Sequence, residues 1–122
     1  MLACQSGHDL CAHALIAAKA AVDAKNTEGV TALMCASLNG HELCTRTLVE
    51  AGAAINAQNN EGWAALMVAC RNGHDACARA LIEAKAAVDA KNHQGLTALS
   101  LAQNKKHNQC CKLLLEAGAH EA

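Results

Sequence analysis

Apolar residues in the second quarter of the chain recur at the spacing of two short helices separated by a glycine turn. A first helix is predicted over 32–38, where the Thr31 hydroxyl is placed to cap the free amide groups. A second helix is predicted near 42–51, and Gly52 supplies the left-handed residue that ends it. The face predicted to point inward carries four residues, Leu43, Cys44, Thr47 and Leu48. The pattern therefore predicts a helix–turn–helix unit followed by a polar loop.

This unit recurs along the chain with a constant period of 33 residues. Equivalent positions are Gly29, Gly62 and Gly95; Gly7, Gly40 and Gly73; His8, His41, His74 and His107; and Leu15, Leu48, Leu81 and Leu114. A fixed period of this length indicates one supersecondary unit that is copied and stacked, with each copy burying its apolar face against its neighbours. We therefore predict one elongated, monomeric domain over residues 1–122. It comprises a partial copy at 1–25 and further copies at 26–58, 59–91 and 92–122.

The repeated residues resemble the ankyrin repeat, whose pattern combines T-P-L-H-x-A with a later G-H and a closing G-A-x-x-N. Residues 31–56 carry these elements as TALMCA, NGH and GAAIN. The resemblance covers about three and three-quarter repeats. It implies an all-α solenoid of stacked helix–turn–helix units joined by β-turn or hairpin-like loops.

The chain departs from the ankyrin pattern at three repeat positions. Ala32, Ala65 and Ala98 replace the proline; Met34, Met67 and Ser100 replace the histidine; Lys19 and Lys85 replace the glycine that ends the second helix. A non-glycine residue in a left-handed conformation costs about 1 kcal/mol. We therefore expect the two repeats that contain these lysines to be locally weaker.

Composition and charge limit the classes of molecule that the chain is expected to bind. Trp63 is the only aromatic residue, so the core must be thin and built from small aliphatic side chains and cysteine. The formal net charge is −1, and no basic run exceeds Lys105–Lys106, which argues against nucleic acid as the main partner. No apolar run approaches the ~20 residues that a bilayer crossing requires, so we expect no membrane partner.

The repeated cysteines raise the question of a metal site. Cys11, Cys44, Cys77 and Cys110 each follow the repeated histidine by three residues, and residues three apart share a helix face. However, each copy offers only two ligands, and stacked helices lie about 8–10 Å apart. Zinc ligands lie within ~2.3 Å of the ion. We therefore predict no metal and interpret the cysteines as small buried apolar residues.

Disulfides between equivalent cysteines are excluded on similar grounds, because one repeat exceeds the Cα separation of ~7 Å that a disulfide tolerates. Packing also accounts for Cys111, which follows Cys110. Free buried cysteines are typical of a reducing compartment, so a cytoplasmic or nuclear location is expected. The chain carries no phosphate-binding loop and no nucleophile motif. We therefore expect no cofactor and no catalysis.

The resemblance implies that the turn tips and first helices line a concave binding face, so residues there that vary between copies are the candidates. Val30, Trp63 and Leu96 follow the turn glycines; Glu28, Glu61 and Gln94 precede them; Leu38, Asn39, Arg71 and Asn72 end first helices, as do Asn104 and Lys105. Trp and Arg are frequent interface hot spots, which singles out Trp63 and Arg71. The alternative for Trp63 is that it only packs on the neighbouring hairpins.

The resemblance thus predicts a module that binds a protein or peptide partner through its concave face and turn tips. Two alternatives stay open. The copies are so alike that the chain could be an engineered or consensus-derived ankyrin scaffold; residues 7–26 and 73–92 differ at three of twenty positions. The first repeat lacks its own turn and helix start, as in a regulatory fragment of a larger multidomain protein.

Overall fold

The computed structural model describes residue 25 and residues 27–119. This part of the chain forms six helices and no β-strand, apart from one isolated antiparallel bridge between Gln58 and Ala64. The helices are α1 (Ala32–Leu38), α2 (Glu42–Glu50), α3 (Ala65–Arg71), α4 (Asp75–Glu83), α5 (Ala98–Asn104) and α6 (Asn108–Glu116). The predicted all-α repeat fold is confirmed.

The helices stack in two layers. In one layer α1 contacts α3 and α3 contacts α5, while in the other α2 contacts α4 and α4 contacts α6. Each first helix also packs on the second helix of its own copy. These principal contacts join elements within a copy or in adjacent copies, as expected for a stack in which apolar faces are buried only against neighbours.

The core between the layers uses the same residue types in every described copy. Its largest fully buried side chains include Leu33, Leu48, Leu81, Leu99 and Leu114, with Cys44, Cys77 and Cys110 also buried. The prediction of an inward face is wrong for one of its four residues, because Leu43 is 56% exposed. The buried residues of α2 are Cys44, Thr45, Thr47 and Leu48. Leu43 therefore lies at the edge of that face, in the first turn of the helix, where its neighbours leave most of its surface uncovered.

Two first helices begin at a threonine cap, one at Thr31 as predicted and one at Thr97. The Thr31 Oγ1 accepts a hydrogen bond from the Met34 amide at 3.3 Å, and the Thr97 Oγ1 accepts one from the Ser100 amide at 3.2 Å. The equivalent residue before α3 is Ala64, which has no side-chain cap. The helix with the missing cap is therefore the central one of the three.

Left-handed residues end the second helices where the repeat requires them. Gly52 and Gly118 have φ of +87° and +97°, and Lys85 adopts the same conformation with φ of +71°. The left-handed conformation expected at Lys85 is confirmed, whereas Lys19 lies outside the described residues. Lys106, which stands where other copies have Gly40 and Gly73, is a second left-handed lysine with φ of +60°.

Candidate partner-binding grooves

The side chain of an asparagine sets the conformation of the two turn tips that carry Trp63 and Leu96. The Asn59 Oδ1 accepts hydrogen bonds from the amides of Glu61 and Trp63, both at 2.9 Å. The Gln58 Nε2 donates to the carbonyl of Gly62 at 2.8 Å. Asn92 repeats this arrangement one copy later and holds Leu96 in the same way. Trp63 and Leu96, which follow the glycines of these two tips, are thus fixed at their backbones by the tips themselves.

Consecutive tips are joined to each other by main-chain contacts. The Asn60 amide donates to the Glu28 carbonyl at 3.0 Å, and its side-chain Nδ2 donates to the Thr27 carbonyl at 3.0 Å. One repeat on, the His93 amide donates to the Glu61 carbonyl at 3.0 Å. The approach is so close that a Cβ added to Gly62 would lie 2.8 Å from the His93 amide nitrogen. Successive tips are consequently held in register.

This register places Trp63 between two grooves. The first groove has a volume of about 320 Å³ and lies between the tips that carry Val30 and Trp63. Its walls are Val30, Met34, Cys35, Leu38, Asn59, Glu61, Trp63, Val68, Arg71 and Asn72. The second groove, of about 400 Å³, is lined by Glu61, Trp63, Arg71, Gln94, Leu96, Leu101, Asn104 and Lys105. Trp63, Arg71 and Glu61 therefore contribute to both grooves.

Arg71 covers the ring that separates the grooves. Its guanidinium carbon Cζ lies 5.7 Å from the centroid of the Trp63 ring, which is within cation–π range. The ring itself is half-buried and packs against the core. Within residues 27–119, neither Arg71 nor Lys105 nor Glu61 has an ion-pair partner. These three charges are consequently available to a ligand.

Most of the candidates predicted from the sequence are brought together here. The first groove gathers Val30, Leu38, Glu61, Trp63, Arg71 and Asn72, and the second adds Gln94 and Leu96. Glu28 lies in a shallow cleft beside them, with Val30 and Glu61. Asn39 lines neither groove; its Nδ2 donates to the Cys35 carbonyl at 2.9 Å and so closes the end of α1.

The sequence-based candidates did not include the floor of the grooves. Met34, Cys35 and Val68 underlie the first groove, and Leu101 underlies the second. A signal for them existed, because residues three or four positions before a helix-end candidate share its face. Applied to Leu38, Arg71 and Lys105, that spacing points to Met34, Cys35, Val68 and Leu101.

The cysteines and histidines serve the packing of the stack. All six described cysteines are free, and Cys44, Cys70, Cys77 and Cys110 are buried. Burial raises the pKa of the Cys35 and Cys77 thiols, and Thr45 Oγ1 donates to the Cys77 sulfur at 3.5 Å. Among residues 27–119, no three His, Cys, Asp or Glu side chains are grouped as metal ligands would be.

One contact joins cysteines at non-equivalent repeat positions, and the repeat period of the sequence does not predict it. Cys70 in α3 and Cys110 in α6 occupy different repeat positions, yet their thiols interact. The Cys110 thiol, together with burial, raises the pKa of Cys70, and the same interaction lowers the pKa of Cys110. The Cys70 thiol therefore stays protonated at neutral pH, which is the opposite of what a nucleophile requires.

His74 illustrates the structural role of the repeated histidine. Its Nε2 lies 3.0 Å from the Leu38 carbonyl of the preceding copy. Its ring lies so close to Gly40 that an added Cβ would come within 2.6 Å of Nδ1. His41, His74 and His107 each precede the first residue of a second helix. The histidine therefore links one copy to the next.

Stacked helix pairs, with tips in register and grooves between them, define a repeat solenoid. The model of ankyrin repeats matches the chain over residues 1–59 and 52–121, and the chain belongs to the ankyrin repeat family. No curated protein matches it. Ankyrin repeats generally mediate protein–protein interactions, and the family is typically non-catalytic. Of the helices described, none has the length and apolar character needed to cross a membrane.

Proposed function

We propose that this domain binds a protein or peptide partner along the two grooves that flank Trp63, without catalysing a reaction. The observation that supports this most directly is the position of Trp63 and Arg71, which contribute to both grooves and contact each other at 5.7 Å. Tryptophan and arginine at the centre of a patch are the residue types that dominate binding energies at interfaces.

The surroundings of this pair have the arrangement of an interface centre. Apolar residues form the first groove, and Leu38 at its edge is 46% exposed. Polar and charged residues, including Glu61, Asn72 and Gln94, surround the apolar part. An apolar centre with a polar rim is typical of protein-binding sites. Because the tips are fixed by their own hydrogen bonds, little ordering is needed on binding, which lowers its entropic cost.

The proposal also covers the oligomeric state of the domain and its cellular compartment. A monomer presents the grooves, and the free buried thiols agree with a reducing compartment such as the cytoplasm or nucleus. The partner is expected to be a polypeptide, because among the described residues two unpaired cations border the grooves, and phosphate recognition needs a larger basic patch.

The test compares partner capture by three proteins in quantitative affinity purification. They are the wild type, a Trp63→Ala/Arg71→Ala variant and a Leu43→Ala/Arg79→Ala control, whose changes lie in the second helices. A partner at the grooves is lost with the first variant and retained by the control. The purified partner should then shift the fluorescence of Trp63 towards the blue as water leaves the ring. Partners retained by both variants and a constant emission would contradict the proposal and place binding elsewhere.

A further inference from the structure

We propose that the partner presents an extended segment in which an aliphatic residue and an acidic residue lie two or three positions apart. The aliphatic side chain occupies the first groove, between Val30 and Trp63, and the carboxylate binds Arg71 and Lys105 in the second. This inference rests on the proposed function and adds the chemistry of the ligand.

The first groove favours an uncharged aliphatic group. Apolar side chains from three elements meet in it: Val30 from one tip, Leu38 from the end of α1, and Val68 from α3. Its two charged residues, Glu61 and Arg71, have opposite signs and leave it with no net charge. Its volume of about 320 Å³ lies within the range of about 300–1,000 Å³ found for small-ligand sites. A branched aliphatic side chain gains the most by displacing water from such a surface.

The second groove favours an anion. Arg71 and Lys105 contribute two positive charges and Glu61 contributes one negative charge, so the net charge is +1. Within the described residues these cations have no carboxylate partner. A guanidinium matches the two oxygens of a carboxylate, and the ammonium adds a further donor. A carboxylate on the partner is therefore the group that complements this groove.

The distance between the grooves sets the spacing in the partner. The grooves lie on either side of Trp63 and are one repeat apart, which corresponds to about 8–10 Å between stacked helices. An extended chain advances about 3.3 Å per residue. The aliphatic and acidic residues consequently lie two or three residues apart, and the structure permits either order along the partner.

The experiment is a selection of random dodecapeptides displayed on phage against the whole domain. Clones that also bind the Trp63→Ala variant are discarded. The remaining peptides should share an aliphatic residue two or three positions from Asp or Glu. A purified peptide of this kind should bind the Lys105→Glu variant about fivefold or more weakly, because an attraction becomes a repulsion. The matched Lys112→Glu variant, with the same charge change in α6, should bind within twofold of wild type.

Reselection on Lys105→Glu should replace the acidic residue with Lys or Arg. Trp63-dependent peptides that lack an acidic preference, or equal losses in the Lys105→Glu and Lys112→Glu variants, would overturn this inference and leave the proposed function standing. A selection that yields only peptides indifferent to Trp63→Ala would overturn both. Melting curves of each variant check that the exposed substitutions leave the fold intact.

Discussion

The Arg71 Cζ lies 5.7 Å from the centroid of the Trp63 ring, so a side chain at the end of α3 covers the residue that follows the turn glycine. A cation–π pair at an exposed site contributes about 0.5–1 kcal/mol. The pair joins the tip of a copy to its first helix and keeps the ring between the grooves. Its strength is measurable in the free protein, before any partner is identified.

A double-mutant cycle with Trp63→Ala and Arg71→Ala should give a coupling of about 0.5–1 kcal/mol in urea unfolding. Trp63→Ala by itself should cost about 1–2 kcal/mol, because the ring is half-buried and loses only part of the ~3–5 kcal/mol that a fully buried ring loses. The control cycle pairs Trp63→Ala with Arg79→Ala in α4 and should show no coupling. Equal coupling energies in the two cycles would contradict a cation–π interaction between Trp63 and Arg71.

Alanine at Gly62 should destabilise the fold much more than alanine at Gly95. Both glycines occupy the same turn position, with φ of +86° and +80°, so each substitution costs about 1 kcal/mol of backbone strain. At Gly62 the added Cβ would also lie 2.8 Å from the His93 amide, whereas nothing lies within 4 Å at Gly95. Overpacking adds about 1–3 kcal/mol at Gly62 alone. Equal free energies of unfolding for the two variants would show that the tips are not stacked closely.

Replacing Lys85 with glycine should stabilise the domain by about 1 kcal/mol. Its φ of +71° is a conformation that glycine adopts without strain and that Gly52 and Gly118 supply elsewhere. The control is Lys91→Gly, at an exposed loop position without a positive φ, which should be neutral or slightly destabilising. The measurement compares the melting temperatures of the two variants with that of the wild type. A lower melting temperature for Lys85→Gly than for the wild type would be the contrary result.

A threonine at position 64 should stabilise the central copy. Ala64 precedes α3 without a side-chain cap, while Thr31 and Thr97 cap the equivalent helices. Thr31, Thr97 and Ala64 are all buried, so position 64 has the same degree of burial as the two capping threonines. A cap contributes about 1 kcal/mol, and Thr97→Ala should lose a similar amount. If Ala64→Thr unfolds at the same urea concentration as the wild type, the position does not permit the cap geometry.

Alkaline pH should destabilise the fold partly through Cys70. The neighbouring Cys110 thiol and burial raise the pKa of the folded Cys70 thiol, while the pKa of Cys110 is lowered; an unfolded thiol titrates at about 8.5. The stability that the protonated Cys70 thiol contributes is therefore fully present below about pH 8.5. As the pH rises towards the folded pKa, this contribution to the free energy of unfolding falls by about 1.4 kcal/mol per pH unit. Cys70→Ser removes this proton, and Ser37 shows that serine occupies the equivalent site.

The measurement compares urea unfolding of wild type and Cys70→Ser at pH 7 and pH 10, with a reductant present. The stability of the variant should fall less steeply with pH. Lysine titration is common to both proteins and cancels in the comparison. Parallel pH dependences would mean that Cys70 ionises equally well in the folded and unfolded chains.

Much of this architecture was determined by the sequence alone. The spacing between Gly29, Gly62 and Gly95 predicts the stack, because a unit repeated at a constant interval must bury the same face against each neighbour. The cap at Thr31 and the left-handed residue at Lys85 also follow from local patterns, since helix ends are decided by contacts within a few residues.

The rest was decided by the tertiary structure, since it depends on distances between residues far apart in the chain. Leu43 is exposed although Cys44 and Thr45, which follow it in the same turn of α2, are buried against the neighbouring helices. Cys70 and Cys110 interact although they hold non-equivalent positions in adjacent copies. Trp63 separates two grooves only because the tips are held in register by hydrogen bonds between copies. A period in the sequence fixes which residues are equivalent, but side-chain packing between copies decides which of them touch.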